Sequence, residues 1–168
     1  MERYFGTSET SLLEVYNPIK NKWILRYDVQ QLEEDNISFL SHVFDHKPTM
    51  SEIKNVILSH TNSQIDKSIL EGFEWNRMKV WLSAENQFNY KAAYDLAVQT
   101  EGKNLPIVFK FGTTDEPVYY KFDDIETLAD FYTRAMTYIN VQLATGWAKK
   151  DAIDWTPYEK ILNNNGNN

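Results

Sequence analysis

"GFEWNRMKVWLSAENQFNY", residues 72–90, reads as two short strands, a turn between them and the start of a helix. Phe73 and Trp75 share one face of an extended segment, and Met78, Val80 and Leu82 share one face of the next. Alternation of this kind marks a strand with one side buried. Asn76 and Arg77 supply the turn. Ser83 stands where a helix wants its cap, because its side-chain oxygen can accept a bond from an orphan backbone N–H, and Glu85 falls in the first turn, where the helix dipole favours an acid. The helix that follows, about 84–100, is expected to bury Phe88, Ala92, Leu96 and Tyr94, with Gly102 at its end. The dense aromatic stretch is therefore first of all a packing element.

The same grammar recurs on both sides. Upstream, Trp23, Leu25, Tyr27 and Val29 alternate with Ile24, Arg26 and Asp28; "EEDN" at 33–36 turns the chain, and "ISFLSHVF" at 37–44 returns it. Thr49 and Glu52 form a capping box, in which each residue satisfies a backbone donor near the other. Ile53, Val56, Ile57, His60, Ile65 and Ile69 then follow at helical spacing, and Gly72 is expected to stop the helix in a left-handed conformation. Downstream, Leu105, Ile107, Phe109 and Phe111 alternate, "GTTDEP" turns, and Val118, Tyr120 and Phe122 line the returning strand. Asp123, with Glu126, is placed to cap a third helix whose stripe is Leu128, Phe131, Ala135, Ile139, Leu143 and Trp147. Gly146 interrupts that helix without ending it.

Three consecutive hairpin–helix units result, 22–70, 73–101 and 105–153. The fold class is α+β, antiparallel β-hairpins alternating with three main helices. The organisation expected is an N-terminal β segment over 1–47 as a variable appendage, an α+β domain over 48–155, and a polar, frayed C-terminal tail over 156–168.

Composition narrows the function. The 168 residues are 42% hydrophobic and 14% aromatic, enough for a core in a chain of single-domain size. A net charge of −7 with scattered lysines and arginines argues against nucleic acid as a partner. With no cysteine, neither a disulfide framework nor a thiolate site is available. The N-terminal stretch lacks the apolar core of a secretory signal, and no apolar run approaches the length of a membrane span. The expected location is the cytoplasm of the producing cell, away from membranes.

Catalytic chemistry is hard to assemble. His42, Asp45 and His46 in "HVFDH" are the residues closest to a metal-binding spacing, but they sit at a strand end before Pro48, where histidines four apart do not share a helix face. His60 lies on an apolar stripe with no nucleophile nearby in sequence. Asp123–Asp124 and the pair Asp151 and Asp154 sit where a helix cap and a solvated turn account for them. The chain shows no G-x-S-x-G, no phosphate-cradling glycine loop and no H-E-x-x-H. We read it as non-enzymatic, with no catalytic residues, no metal and no cofactor.

A contact surface is easier to build. On the strand faces opposite the core stand Glu74, Lys79 and Trp81, then Val108 and Lys110, then Tyr119 and Lys121. Trp81, Tyr119, Lys79, Lys110 and Lys121 are the candidate partner-contact residues, since a large ring among lysines is the usual make-up of an interface anchor. A small module of this kind suits a host glycan or protein.

The string D-x-x-I-L-x-G-F-x-W-N…V-x-L-S-x-E-x-Q-x-N resembles an uncharacterised domain family of bacteriophage and prophage tail-associated proteins. Asp66, Ile69, Leu70, Gly72, Phe73, Leu82, Ser83, Gln87 and Asn89 carry the resemblance. Pro106 before a strand, "VYYKF" before an acidic cap, Phe131, and L-x-x-G-W-x-K-K-D-A-I at 143–153 extend it over roughly 48–155. "ENQFNYKAAYDLAVQT" and "DFYTRAMTYIN" look like versions carried in Bacteroides-type prophages. The resemblance implies a structural or accessory tail protein, virion-associated, with tail or fibre proteins or a second copy as partners; an assembly chaperone for tail fibres is the alternative it leaves open. It assigns no catalytic residues.

Overall fold

The computed structural model describes residues 2–164. In chain order the elements are β1 (Tyr4–Thr7), β2 (Leu13–Asn17), β3 (Lys22–Gln31), β4 (Asn36–Phe44), α1 (Met50–Glu71), β5 (Phe73–Trp75), β6 (Met78–Val80), α2 (Ala84–Gln99), β7 (Ile107–Gly112), β8 (Pro117–Phe122), α3 (Ile125–Asp151) and α4 (Thr156–Asn164). The strand pairs are antiparallel. The fold is α+β, and the three hairpin–helix units of the sequence are β3–β4–α1, β5–β6–α2 and β7–β8–α3.

The chain divides into two compact units, one formed by residues up to Thr61 together with those from Ala152 onward, the other by Asn62–Asp151. This corrects the expected boundaries. The division falls inside α1 rather than at residue 47, and 156–164 form a helix rather than a frayed tail; the last four residues of that expected tail, 165–168, lie outside the described part. The tail reading failed because "TPYEKILNN" is polar in composition yet amphipathic in order: Tyr158 is buried, with Ile161 and Leu162 packed beside it. Asp154 Oδ1 accepts the backbone N–H of Thr156 at 2.9 Å, so this aspartate supports a helix start rather than a free turn.

In the first unit a four-stranded sheet has the order β1-β4-β3-β2. Strands β1 and β2, inside the expected N-terminal β segment but not individually placed by the alternation, supply its two edges. Trp23, Leu25 and Tyr27 point into a core with Leu13, Leu40, Phe44, Ile53 and Ile57. Val29 does not join them and is exposed. The β3–β4 register shifts between Tyr27 and Gln30, with Asp28 at φ 51°, and that bulge turns the following side chains over. Arg3 fixes the bulge, its guanidinium lying 2.6 Å from both the carboxylate and the carbonyl oxygen of Asp28.

The second unit is built on rings. Asn76 and Arg77 both have positive φ, 49° and 65°, the two-residue turn whose twist matches a β-hairpin. It sets Phe73 opposite Val80 and Trp75 opposite Met78. Phe73, Trp75, Val80, Leu82, Tyr90, Phe111, Phe122, Leu128, Phe131, Ala135 and Ile139 form the core. Burial pushes the Tyr90 phenol up to about 12, so it stays neutral throughout the physiological range.

Five local expectations are corrected here. In α2 the buried residues are Tyr90 and Ala97, with Tyr94 half-buried; Phe88, Ala92 and Leu96 lie on the opposite side, in solvent. Trp147 is exposed at the end of the α3 stripe, and Val118 at the start of β8 is exposed too. Helix α3 is capped by Asp124, whose Oδ1 accepts the Thr127 N–H at 2.7 Å, while Asp123 pairs with Lys121. Gly72 is not left-handed. Its need is space, since a Cβ there would lie 2.6 Å from the Ser68 carbonyl oxygen and 2.2 Å from the Tyr138 hydroxyl that donates to that oxygen.

The Thr49–Glu52 capping box forms as read: the Thr49 N–H donates to Glu52 Oε2 at 2.8 Å and the Glu52 N–H to Thr49 Oγ1 at 3.3 Å. The Thr49 backbone N–H, then its hydroxyl and His46, hold the Glu52 carboxyl at about 2 against an ordinary 4.5. A depressed native pKa stabilises the fold fully above the unfolded value and loses that contribution as the pH falls through the native one. The protection of amides at the start of α1, corrected for the intrinsic pH dependence of exchange, should therefore be flat above about pH 4.5 and fall as the pH drops toward 2. Glu52→Gln should abolish that pH dependence; an unchanged profile in the variant would show that the box does not titrate.

Candidate functional site

Trp81 immediately follows β6, and the strand's alternation continues through it: Val80 and Leu82 are each 1% exposed, Trp81 43%. Its backbone is clamped to the first turn of α2. Asn86 Nδ2 donates to the Trp81 carbonyl at 2.9 Å, Gln87 Nε2 donates to the Leu82 carbonyl at 2.7 Å, and the Asn86 N–H bonds the capping Ser83 Oγ at 3.2 Å. The indole thus projects from a fixed mount, which lowers the entropy lost when a partner covers it.

Two hollows flank the ring. One, of about 440 Å³, is lined by Trp81, Asn86, Lys110, Phe111, Gly112, Thr113 and Thr114. The other, of about 290 Å³, has Leu70, Glu71, Lys79, Val80 and Thr113 beside Trp81. The β7–β8 ladder sets Lys110 directly opposite Tyr119, and Val108 opposite Lys121. Tyr119 is 69% exposed and Val108 is exposed beside it. On β5–β6, Glu74 faces Lys79 across the ladder.

All five candidate contact residues are exposed, on the faces the alternation assigned to them. Trp81 shares one hollow with Lys110 and the other with Lys79. Tyr119 and Lys121 share the exposed side of β8 but line neither hollow. Lys121 Nζ lies 2.6 Å from Asp123 Oδ1, whereas among the described residues no ion pair includes Lys79 or Lys110. Two ammonium groups and two large rings are therefore available to a partner. Alternation does not reach Asn86, which lies in the first turn of α2, nor Thr113 and Thr114, which lie in the "GTTDEP" turn. The signal for the two threonines is the hydroxyl pair beside a glycine, and Gly112 has φ +82°.

The titratable groups weighed for chemistry go separate ways. His46 Nε2 lies 2.8 Å from Glu52 Oε1, Asp45 Oδ1 lies 2.8 Å from Lys22 Nζ, and the His42 ring packs edge-on to Phe44. Among the described residues no three His, Cys, Asp or Glu side chains are placed to share a metal ion. His60, its side chain 10% exposed, packs edge-on to Tyr27 with Nε2 3.6 Å from Asp28 Oδ2. Among the same residues no helix is long and apolar enough to cross a membrane.

The molecule is thus an α+β protein presenting a rigidly mounted indole between two lysine-bearing hollows. Set against known proteins, the chain matches no protein-family model, no curated protein and no solved structure.

Proposed function

We propose that this chain is a non-enzymatic structural or accessory protein of a prophage-encoded tail, made in the cytoplasm and carried into the particle. It works by protein–protein contact through the strand face around Trp81. The observation that carries the contact reading is the indole itself, half-exposed, clamped from behind by Asn86 and Gln87, and flanked by Lys79 and Lys110. Aromatic side chains of this kind dominate the energetics of protein interfaces. The tail assignment is supported by the residue pattern around Asp66–Asn76 and 143–153.

The larger hollow favours one further reading. Asn86, Thr113, Thr114 and Lys110 around an indole also suit a sugar, so a host glycan is the rival ligand. Titrating the protein with purified tail or fibre components, and separately on a glycan array, tells the two apart. Trp81→Ala/Tyr119→Ala should melt as the parent does, because both rings are exposed, and should weaken binding to the tail component by at least about 2 kcal/mol. A folded double variant that binds the tail component as tightly as the parent would remove this face from the account. Glycan binding without tail binding would move the function to the rival reading.

A further inference from the structure

Strand β8 has a free edge. Hairpin β7–β8 is a two-stranded sheet, so only one side of β8 is paired. Pro117 has no N–H, so the Gly112–Pro117 pair cannot exchange hydrogen bonds. The Thr113 N–H, which donates to the Glu116 carbonyl at 3.1 Å, agrees with that phase. From there the register runs without a shift to Ile107–Phe122. Alternation therefore gives the ladder bonds to Val118, Tyr120 and Phe122, and turns the N–H and C=O of Tyr119 and Lys121 outward. Among the described residues no hydrogen bond outside the ladder engages the backbone of 118–121. Tyr119 and Lys121 are both exposed, so their outward groups are open to a second strand.

We propose that β8 pairs edge to edge with an extended segment of the protein partner, one that alternates acidic and apolar side chains. In strand addition the main-chain hydrogen bonds supply the attraction, and the side chains on each face select the sequence. Residues directly opposite across a ladder share a face. Side chains opposite Tyr119 and Lys121 therefore lie on the exposed face, where the two charges of the hairpin strands, Lys110 and Lys121, are both positive. The side chain between them lies on the other face beside Tyr120, which is half-buried and stands 4.9 Å from Trp75 between ring centroids. An acid on one face and an apolar group on the other suit both environments.

Charge decides the occupant. The chain carries a net charge of −7, so this hairpin is a local exception in sign. A second copy would set one lysine-bearing edge against another, whereas an acidic strand neutralises it. Lys121 already meets Asp123 at 2.6 Å, but that pair is exposed at both ends, so it is weakly held and a partner's carboxylate can share the ammonium. The inference rests on the contact reading above only for the partner's being a protein, and Tyr119 and Lys121 line neither hollow beside Trp81.

The probe is a capped heptapeptide alternating glutamate and valine, titrated into the full chain and followed by amide NMR. The amides of Tyr119 and Lys121 should shift and gain protection, while that of Tyr120, already in the ladder, should keep the protection it has. N-methylating the glutamate amides, which face β8 in the proposed pairing, should weaken binding at least about tenfold. N-methylating the valine amides, which point away, should change it by less than about threefold. A lysine–valine peptide, and Lys121→Glu with the original peptide, should each bind about tenfold more weakly or worse. Trp81→Ala should bind the peptide as the parent does. No binding of the glutamate peptide at millimolar concentration overturns the inference. So does equal loss from both methylated peptides, tighter binding of the lysine peptide, saturation without change at Tyr119 and Lys121, or loss of binding in Trp81→Ala. An acidic oligosaccharide (oligogalacturonate) that shifts these amides where the peptide does not overturns it as well. The assay contains no tail component, so its failure leaves the Trp81 contact to its own test.

Discussion

Phe131→Ala is expected to lower stability by about 4–5 kcal/mol, the upper end of the range for truncating a buried aromatic. The ring is fully buried and has six aromatic neighbours: Tyr90 at 5.0 Å, Phe111 at 5.2 Å, Trp75 and Phe122 at 5.4 Å, Phe109 at 6.0 Å and Phe73 at 6.5 Å between centroids. These neighbours are contributed by β5, β7, β8 and α2, so removing the ring opens a space that no single element can close by shifting. Pairs of this geometry add roughly 0.5–1.5 kcal/mol each beyond the buried area, though a shared cavity makes their losses non-additive. Urea denaturation of the variant against the parent gives the number. A loss under about 2 kcal/mol would mean that the core is not organised around Phe131.

Trp75→Ala should cost about 3–5 kcal/mol for a related but separable reason. Trp75 is 2% exposed and touches Phe111, Tyr120, Phe122 and Phe131, yet its Nε1–H donates to Asp130 Oδ2 at 3.1 Å. The hydrogen bond from Trp75, and then the one from Arg134, hold the Asp130 carboxyl below its usual range. Trp75→Phe keeps most of the packing and removes the donor, so it should destabilise far less than Trp75→Ala and should raise the Asp130 pKa toward its ordinary value. Denaturation curves and carboxyl chemical shifts report the two effects separately. Equal losses from the Ala and Phe variants would assign the effect to the hydrogen bond and not to the ring.

The sequence is most legible where a side chain's fate depends on its immediate neighbours. Strand alternation put Phe73, Trp75 and Val80 inside and Lys79, Trp81, Lys110 and Tyr119 outside, because a pleat allows two directions and the turn at Asn76-Arg77 fixes the register. The Thr49 and Ser83 caps were readable for the same reason, each depending on groups three residues away. Helix α2 was not. It carries two apolar stripes, Phe88–Ala92–Leu96 and Tyr90–Tyr94–Ala97, and periodicity cannot say which one the rings of β7 and α3 will claim. Tyr90 wins because its ring reaches both Phe109 and Phe131, at 4.8 and 5.0 Å.

Val29 and the Asp123 cap failed on single-residue geometry. A bulge at Asp28 and a helix start one residue later than expected leave the pattern intact and move the side chain. Helix α4 and the edge strands β1 and β2 were hidden by polar composition, since their burial is set by partners distant in sequence, such as Arg26, whose carbonyl accepts the Tyr158 hydroxyl. The candidate site was half-legible. Alternation supplied its rings and lysines, but not the hollows, which arise only when the turn at Thr113 and Thr114 is folded beside Trp81.

The proposed role requires that Trp81 meet a tail or fibre protein. Its most direct test is a photo-reactive phenylalanine analogue at position 81, irradiated in cells producing the particle, with adducts identified by mass spectrometry. One dominant adduct with a tail or fibre component is expected, absent when the same group replaces Tyr16, which is exposed in the other unit. The same adducts from both positions, or none with a tail or fibre component at position 81, would contradict it.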